Sequence, residues 1–263
     1  MVVTITAGLD LGSTYVKAVV IRDGARIGWG VGPTGRDHEV SARNVLSEAL
    51  VMADVRKDEV ANIVSTGYGR RVTSLAGSTI SEISANARGV VWLAKELNVR
   101  TIIDIGGQDT KVIALDDDLD IVNFTMNDKC AAGTGRFLEV LSRVLDVPLD
   151  GMGPLSLKSK DPVDITTTCL VFAKSEVANL VFKGVPKEDI IMGIHMAVAR
   201  RLGAMAKKVG VRDVVFFDGG PARNVGMVAA MERELGRKMY VPEMPQIVTA
   251  TGAALIAAER SKS

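Results

Sequence analysis

The sequence has few cysteines, histidines and aromatic residues, and neither sign of charge predominates. Its formal net charge is +1, so it shows no electrostatic signature of nucleic-acid binding or of an anionic membrane surface. Three Tyr, two Trp and six Phe offer little surface for stacking on bases. Two cysteines are too few for a disulfide framework, and His38 and His195 lack metal-ligand spacing. We therefore expect neither nucleic acid nor a membrane among the partners.

Long hydrophobic runs and several common motifs are also missing. No apolar run approaches the ~20 residues that span a bilayer, and the start, MVVTITAGLD, lacks the basic region of a signal peptide. We therefore expect a cytoplasmic protein. No P-loop or Rossmann glycine pattern occurs, and neither HExxH nor GxSxG is present. The sequence thus gives no support for these two nucleotide folds or for hydrolysis by a serine or zinc site.

One pattern occurs twice. Residues 9–20 read LDLGSTYVKAVV and residues 103–114 read IDIGGQDTKVIA, so an Asp, a Gly and a Lys recur at a constant offset of 94. Each copy predicts a β-hairpin whose glycine turn lets a ligand approach the backbone closely. A repeat at this spacing indicates a duplicated α/β domain, with a ligand cleft between the copies.

The remaining pattern divides the chain in the same way. We predict a first domain over 1–98, a second over 99–246, and a C-terminal helix from 247 that packs back on the first domain. Apolar spacing predicts a helix over 41–54 with Ser41 as its N-cap. Further strands are predicted at 26–32 and 61–71, a strand, glycine turn and helix at 213–236, and helices at 81–97, 136–147, 170–184, 187–209 and 247–262.

The repeated turns carry groups suited to phosphate chemistry. Asp10 and Asp104 end apolar strands, where a carboxylate can hold Mg²⁺ through water while backbone amides meet phosphate oxygens. Taken singly, each hairpin has a second interpretation, in which Asp and Gly only form a turn; the repetition favours the first. A third glycine turn, FFDGGPARN at 216–224, can receive a flat ring or an α-phosphate.

Both cysteines stand in unusual surroundings. Cys130 lies in NDKCAAGTGRF and Cys169 in TTTCLVFAKSEV, and each context predicts a helix start, where the helix dipole favours thiolate. The alternative interpretation is two small core residues. A zinc or iron–sulfur site ordinarily needs four protein ligands, so one chain cannot close it with thiolates. A symmetric dimer can, with two cysteines from each subunit.

These residues together resemble a known family. The two hairpins, the Gly-Gly turn and TATGAALIAA at 249–258 resemble the actin, sugar-kinase and Hsp70 ATPase superfamily. The two cysteine motifs, VSTGYGRR at 64–71 and IIDIGGQDTKVI at 102–113 are similar to the BadF/BadG/BcrA/BcrD ATPases, which activate 2-hydroxyacyl-CoA dehydratases or serve benzoyl-CoA reductases. The resemblance covers about residues 5–258. It implies two RNase H-like domains with ATP in the cleft between them.

The resemblance also implies a set of site residues. It places ATP or ADP with Mg²⁺ in the cleft, and one [4Fe–4S] cluster per dimer on Cys130 and Cys169 of both subunits. Asp10, Asp104 and Gln108 would be catalytic. The implied nucleotide-binding residues are Gly12, Ser13, Thr14, Lys17, Gly106, Gly107, Gly219, Gly220 and Gln246.

The function implied is ATP-driven donation of one electron. The donor would be ferredoxin or flavodoxin, the acceptor an acyl-CoA dehydratase or benzoyl-CoA reductase component, and the dimer partner a second copy or a related chain. Two other hypotheses remain open: a small-molecule kinase of the same superfamily without a cluster, and an actin-like interaction module without a redox role. Two thiols at helix starts favour the first hypothesis.

Overall fold

The structure is a computed structural model that describes residues 3–166 and 169–261. Thr167 and Thr168, which belong to the second cysteine motif, lie outside the described residues, as do the first two and last two residues. The chain divides into two compact units, residues 1–99 with 246–263, and residues 100–245. Among the described residues, no helix combines the length and apolarity needed to cross a membrane.

The first unit is built on a five-stranded sheet with the order β3-β2-β1-β4-β5. Its strands are β1 (Ile5–Leu11), β2 (Tyr15–Arg22), β3 (Ala25–Pro33), β4 (Asn62–Thr66) and β5 (Ser78–Thr79). The first three form an antiparallel meander, and β4 pairs parallel with β1. Every residue of β1 is buried, because strands flank it on both sides and helices cover the sheet.

Three helices belong to this unit: α1 (His38–Ala53), α2 (Glu82–Leu93) and, from the end of the chain, α8 (Val248–Arg260). The prediction that Ser41 caps α1 is wrong, because the Asp37 carboxylate accepts a hydrogen bond from the Val40 amide at 3.1 Å and the helix starts one turn earlier. Helix α8 is tied to β1 by a 3.0 Å hydrogen bond from the Thr6 hydroxyl to the Ala254 carbonyl.

The second unit repeats this sheet with the order β8-β7-β6-β9-β10. Its strands are β6 (Thr101–Ile105), β7 (Thr110–Leu115), β8 (Ile121–Asn127), β9 (Val215–Gly219) and β10 (Met239–Tyr240). Again three strands form an antiparallel meander, and a fourth pairs parallel with the first. The shared order and directions confirm the prediction of duplicated RNase H-like domains.

The helices of the second unit are α3 (Gly135–Leu145), α4 (Leu149–Ser156), α5 (Leu170–Phe182), α6 (Lys187–Val209) and α7 (Val225–Leu235). The predicted helix over 187–209 is confirmed at both ends. Helix α4 and strand β8 were not predicted. Pro154 and two glycines break the helical pattern of α4, and β8 is an edge strand whose apolar residues are exposed, so neither has the usual buried stripe.

Candidate functional site

The first predicted phosphate turn lies where β1 ends. Asp10 is buried there, and its carboxylate Oδ2 is 2.8 Å from Lys17 Nζ on the neighbouring strand β2. The Thr34 hydroxyl donates to the Gly12 carbonyl at 2.7 Å, and the Thr34 amide donates to the Thr14 carbonyl at 2.9 Å. In a trans peptide, a carbonyl and the following N–H point in opposite directions. The Ser13 amide therefore points away from Thr34, as a phosphate-binding turn requires.

The second predicted turn repeats this arrangement at the end of β6. Asp104 is buried, and its Oδ2 is 3.3 Å from Lys111 Nζ. Lys111 also contacts Asp109, with its Nζ 2.6 Å from Oδ2, an ion pair that the sequence analysis missed. The Lys111 side chain is only 3% exposed, whereas that of Lys17 is 18% exposed. Lys17 therefore retains access to a ligand, while Lys111 is enclosed between carboxylates.

The carbonyls of the second turn are held by the first turn of α3. The Gly135 amide donates to the Gly106 carbonyl at 2.9 Å, and the Arg136 amide donates to the Gly107 carbonyl at 2.8 Å. By the same peptide geometry, the amides of Gly107 and Gln108 point away from α3. Two N–H donors are thus directed outward from one turn, which suits a phosphate group.

A pair of equivalent glycines stands beside the two buried aspartates. Gly67 follows β4 with φ +92°, and Gly219 ends β9 with φ +84°. A Cβ on either glycine would lie 2.7 Å from an aspartate Oδ1, that of Asp10 for Gly67 and that of Asp104 for Gly219. Only glycine fits this position, because both the backbone conformation and the space exclude a side chain. Both turns are recognisable in the sequence, whereas their equivalence is not.

Gly219 and Gly220 lead into the short 3₁₀ turn Gly220–Arg223. A Cβ built on Gly135 would lie 3.5 Å from Pro221 Cγ and 3.6 Å from Gly107 Cα, so this turn, the second phosphate turn and the start of α3 converge. The structure therefore brings together four predicted nucleotide residues of the second unit: Gly106, Gly107, Gly219 and Gly220.

Asn224 directly follows the 3₁₀ turn Gly220–Arg223, and both ends of its side-chain amide form hydrogen bonds. Its Oδ1 accepts from the Met227 amide at 3.0 Å and caps α7, so its Nδ2 faces His195 Nε2 at 3.1 Å. His195 is fully buried, and burial lowers its pKa from 6.5 to about 3. The neutral ring thus accepts at Nε2 and carries its proton on Nδ1.

Other predicted residues have simpler surroundings. Gln108 is exposed at the tip of its turn. Gln246, where the first unit resumes, is half-buried in the 3₁₀ turn Pro245–Ile247. Two buried residues were missed by the sequence analysis. Thr66 is the parallel neighbour of Asp10, and Asp218 is the parallel neighbour of Asp104. An apolar strand ending in Asp-Gly-Gly was the available signal for Asp218.

Cys130 lies in a loop that the hairpin β7–β8 holds. Asn127 Nδ2 donates to the Cys130 carbonyl at 2.8 Å and to the Ala132 carbonyl at 3.1 Å. The Thr110 hydroxyl donates to the Gly133 carbonyl at 2.6 Å, and Thr110 and Asn127 are themselves paired across the strands. Cys130 is not directly at a helix start, because a turn separates it from Gly135, where α3 begins.

Cys169 immediately precedes α5, and no side chain among the described residues caps that helix start. Its thiol is exposed, that of Cys130 is half-buried, and both are free. Val171 and Phe172, next to Cys169, are 69% and 66% exposed. A free exposed thiol beside exposed apolar residues suits a ligand position at an interface better than a core position.

The side chains present determine which of the implied metals this chain can hold. Among the described residues, no group of three or more His, Cys, Asp or Glu side chains is arranged to hold a metal ion. For Mg²⁺ this is the expected arrangement, since protein sites usually supply one or two carboxylates, with water and phosphate completing the shell. For an iron–sulfur cluster, two free thiols per chain fit a site completed by a second chain.

The chain is similar to several known proteins. A sequence model of the BadF/BadG/BcrA/BcrD ATPase family matches residues 7–257. The 2-hydroxyisocaproyl-CoA dehydratase activator of Clostridioides difficile is 43% identical, over 98% of this chain and 96% of its own. A benzoyl-CoA reductase subunit of Thauera aromatica is 33% identical, over 98% and 94%. A solved structure of the activator from Clostridium difficile with bound ADPNP matches with a TM-score of 0.94 at 42% identity, over 98% and 96% of the chains.

Proposed function

Since the chain belongs to the BadF/BadG/BcrA/BcrD ATPase family, we propose that it hydrolyses ATP to drive one electron into an acyl-CoA-processing partner enzyme. A 2-hydroxyacyl-CoA dehydratase is the favoured partner and a benzoyl-CoA reductase component the second, because identity is 43% to an activator of the first and 33% to a subunit of the second. The observation that carries the proposal is the direct hydrogen bonding between the turn at 106–108 and α3, next to the Cys130 loop.

In this proposal the glycine turns bind the phosphates of ATP. The outward amides of Gly107 and Gln108 meet phosphate oxygens in the second unit, and Gly12, Ser13 and Thr14 do so in the first. Lys17 adds a positive charge, since its ammonium is partly exposed while it orients Asp10. The adenosine end lies against Gly219 and Gly220, and Gln246 contacts the nucleotide. ADPNP in the homologous activator structure supports binding of an adenine nucleotide.

ATP hydrolysis in this proposal depends on where Mg²⁺ and the attacking water are held. Asp10 and Asp104 would hold Mg²⁺, which would offset negative charge on the phosphates, and Lys17 and Lys111 fix the orientation of these carboxylates. The Gln108 side chain is exposed beside the outward amides and orients the attacking water. The transferred phosphoryl group carries charge on its oxygens, so preorganised N–H donors and Mg²⁺ lower the barrier.

The cysteines serve the electron-transfer half of the function. Cys130 and Cys169 of two chains provide four thiolates, which suit a [4Fe–4S] cluster shared by a dimer. When bound, such a cluster supplies one electron at low potential. Cys169 lies at the start of α5, which no described side chain caps, whereas the Cys130 loop is fixed by hydrogen bonds from Asn127 and Thr110. Ferredoxin or flavodoxin would reduce the protein, and the second chain is a copy or a related subunit.

Hydrogen bonds within the chain connect the second phosphate turn to the Cys130 loop, and thus nucleotide binding to electron transfer. The Gly106 and Gly107 carbonyls accept from α3, and Thr110 binds the Cys130 loop. A phosphate that reorients the peptide planes of the turn therefore perturbs the two amides at the start of α3, and with them the loop that carries Cys130.

Two variants test the halves separately. The protein is purified without oxygen, and iron, sulfide, the visible spectrum, ADP affinity and Mg²⁺-dependent ATP hydrolysis are measured for the wild type, Cys169→Ser and Asp104→Asn. We expect about four irons per dimer in the wild type. Cys169→Ser should lose the iron and retain ADP binding, and Asp104→Asn should retain the iron and lose Mg²⁺-dependent hydrolysis.

Each variant is the control for the other, because each should abolish one activity and leave the other present. Wild-type protein that is free of iron yet hydrolyses ATP would contradict the electron-transfer function. ATP-dependent phosphorylation of an alcohol by such protein would favour the kinase instead.

A further inference from the structure

Two consecutive arginines on α6 contact the segments that carry the two cysteines. Arg200 Nη2 is 2.8 Å from Asp164 Oδ1 and 3.2 Å from the Ile165 carbonyl, in the segment that leads toward Cys169. Arg201 differs. Within residues 3–166 and 169–261 it forms no hydrogen bond or ion pair, and its Nε atom is buried without an acceptor.

Arg201 lies against the Cys130 loop. A Cβ built on Gly133 would be 3.1 Å from Arg201 Cδ and 3.6 Å from Arg201 Nε, and Gly133 has φ +85°. Glycine at this position thus gives the arginine side chain room to pass directly beside the loop.

The carbonyls of the loop are each engaged by another donor. The carbonyls of residues 130 and 132 accept from Asn127, that of residue 131 accepts from the Thr134 hydroxyl at 2.7 Å, and that of residue 133 accepts from Thr110. Every carbonyl of residues 130–133 therefore already has a donor.

A buried N–H of a cation without an acceptor is unfavourable, and an arginine cannot escape by losing its proton. Buried polar groups in native proteins nearly always have a protein, water or ion partner. No described residue is that partner for Arg201 Nε, and an anion bound at the Cys130 loop would supply it. A cluster held by four thiolates is negatively charged, and its charge grows on reduction.

Resting on the proposed function, we infer that Arg201 provides the positive charge that offsets the iron–sulfur cluster at Cys130 and raises its reduction potential. Arg201 is a positioning residue, because it acts on the cluster without being a ligand. A higher potential makes the cluster easier to reduce and its electron harder to pass on. Arg201 therefore also sets how much free energy ATP must add to the transfer.

The test compares Arg201→Met and Arg201→Lys with Arg200→Met, which removes the neighbouring arginine whose partners are protein atoms. Three quantities are measured: the thermal midpoint of iron-free protein, the iron content after reconstitution, and the midpoint potential of the reconstituted dimer. For Arg201→Met we expect an unchanged or higher thermal midpoint without iron, lower iron retention, and a tenfold smaller ratio of reduced to oxidised cluster, equivalent to ~59 mV. Arg201→Lys should recover most of the potential, and Arg200→Met should leave it unchanged.

A strong loss of iron-free stability in Arg201→Met, with an unchanged potential in Arg201→Lys and Arg201→Met, would overturn the inference and make the arginine structural. This result leaves the proposed function intact, because the wild type still takes up iron. Wild-type protein that takes up no iron overturns both.

Discussion

Replacing His195 with glutamine should remove a pH-dependent part of the stability of the second unit. In the folded protein the imidazole is buried and neutral, and its Nε2 accepts from Asn224. Protonation would place an N–H against the Asn224 amide and a charge in an apolar interior. Glutamine can still accept from Asn224 through its carbonyl oxygen, and it does not titrate.

The size of the effect follows from the two pKa values. The pKa of His195 is about 3 in the folded protein against 6.5 for an ordinary histidine. The unfolded chain therefore takes up a proton below pH 6.5 while the folded protein does not, so stability is complete above pH 6.5 and is lost as the pH falls toward 3. Lowering the pH from about 7.5 to about 5.5 should reduce the unfolding free energy by about 1.4 kcal/mol through this residue alone.

The assay is urea unfolding at these two pH values, followed by far-ultraviolet circular dichroism. Both tryptophans, Trp29 in β3 and Trp92 in α2, lie in the first unit, so their fluorescence reports on that unit separately. Other groups also titrate in this range, and the difference between wild type and His195→Gln isolates the histidine. His38→Gln is the matched control, because His38 is the one other histidine and lies half-buried at the start of α1.

The unfolding free energy of the wild type should therefore fall by about 1.4 kcal/mol more than that of His195→Gln when the pH is lowered. A difference that stays constant between the two pH values would refute the reasoning, since it would mean that His195 is solvated or already charged when folded. A similar pH effect from His38→Gln would refute it as well.

Further predictions concern the turns and the cysteine loop. Gly219→Ala should abolish ADP binding and lower the unfolding free energy more than Gly24→Ala does. Gly24 is the matched control, because it has the same φ of +84° with open space around it. Equal losses of unfolding free energy would show that backbone strain alone matters. Asn127→Ala leaves the Cys130 and Ala132 carbonyls without this donor, so it should lower the unfolding free energy by about 1–3 kcal/mol and reduce iron retention. Asn123→Ala, on the same exposed strand, should change neither quantity. Gln108→Ala should lower kcat for ATP about 100-fold with little change in ADP affinity, because the attacking water is no longer positioned. Phosphate release and calorimetry measure the two quantities, and a parallel loss of affinity would make Gln108 only a phosphate ligand.

The hairpins could be predicted from the sequence because their pairing is local. Asp10 pairs with Lys17, and Asp104 pairs with Lys111, at the spacing that the repeated motif indicates. Helix α6 was predictable for a related reason, since its period and its terminal glycine are both local signals.

The missed residues depend on pairing between distant segments. Thr66 and Asp218 reach the aspartates only because β4 and β9 pair parallel with β1 and β6. The two aspartates are 94 residues apart, whereas Gly67 and Gly219 are 152 apart, because the second unit inserts α3–α6 before its fourth strand. No constant offset links the two glycines, so the sequence could not reveal their equivalence.

The hydrogen bonds from the start of α3 to the Gly106 and Gly107 carbonyls also have a thermodynamic consequence. They make the turn and the Cys130 loop parts of one hydrogen-bonded body, so a ligand at one end changes the free energy of the other. Such coupling is reciprocal. If a nucleotide at the turn changes the affinity of the loop for its ligand by some factor, occupancy of the loop changes nucleotide affinity by that same factor. Nucleotide affinity measured with and without iron therefore reports on the coupling without any electron being transferred.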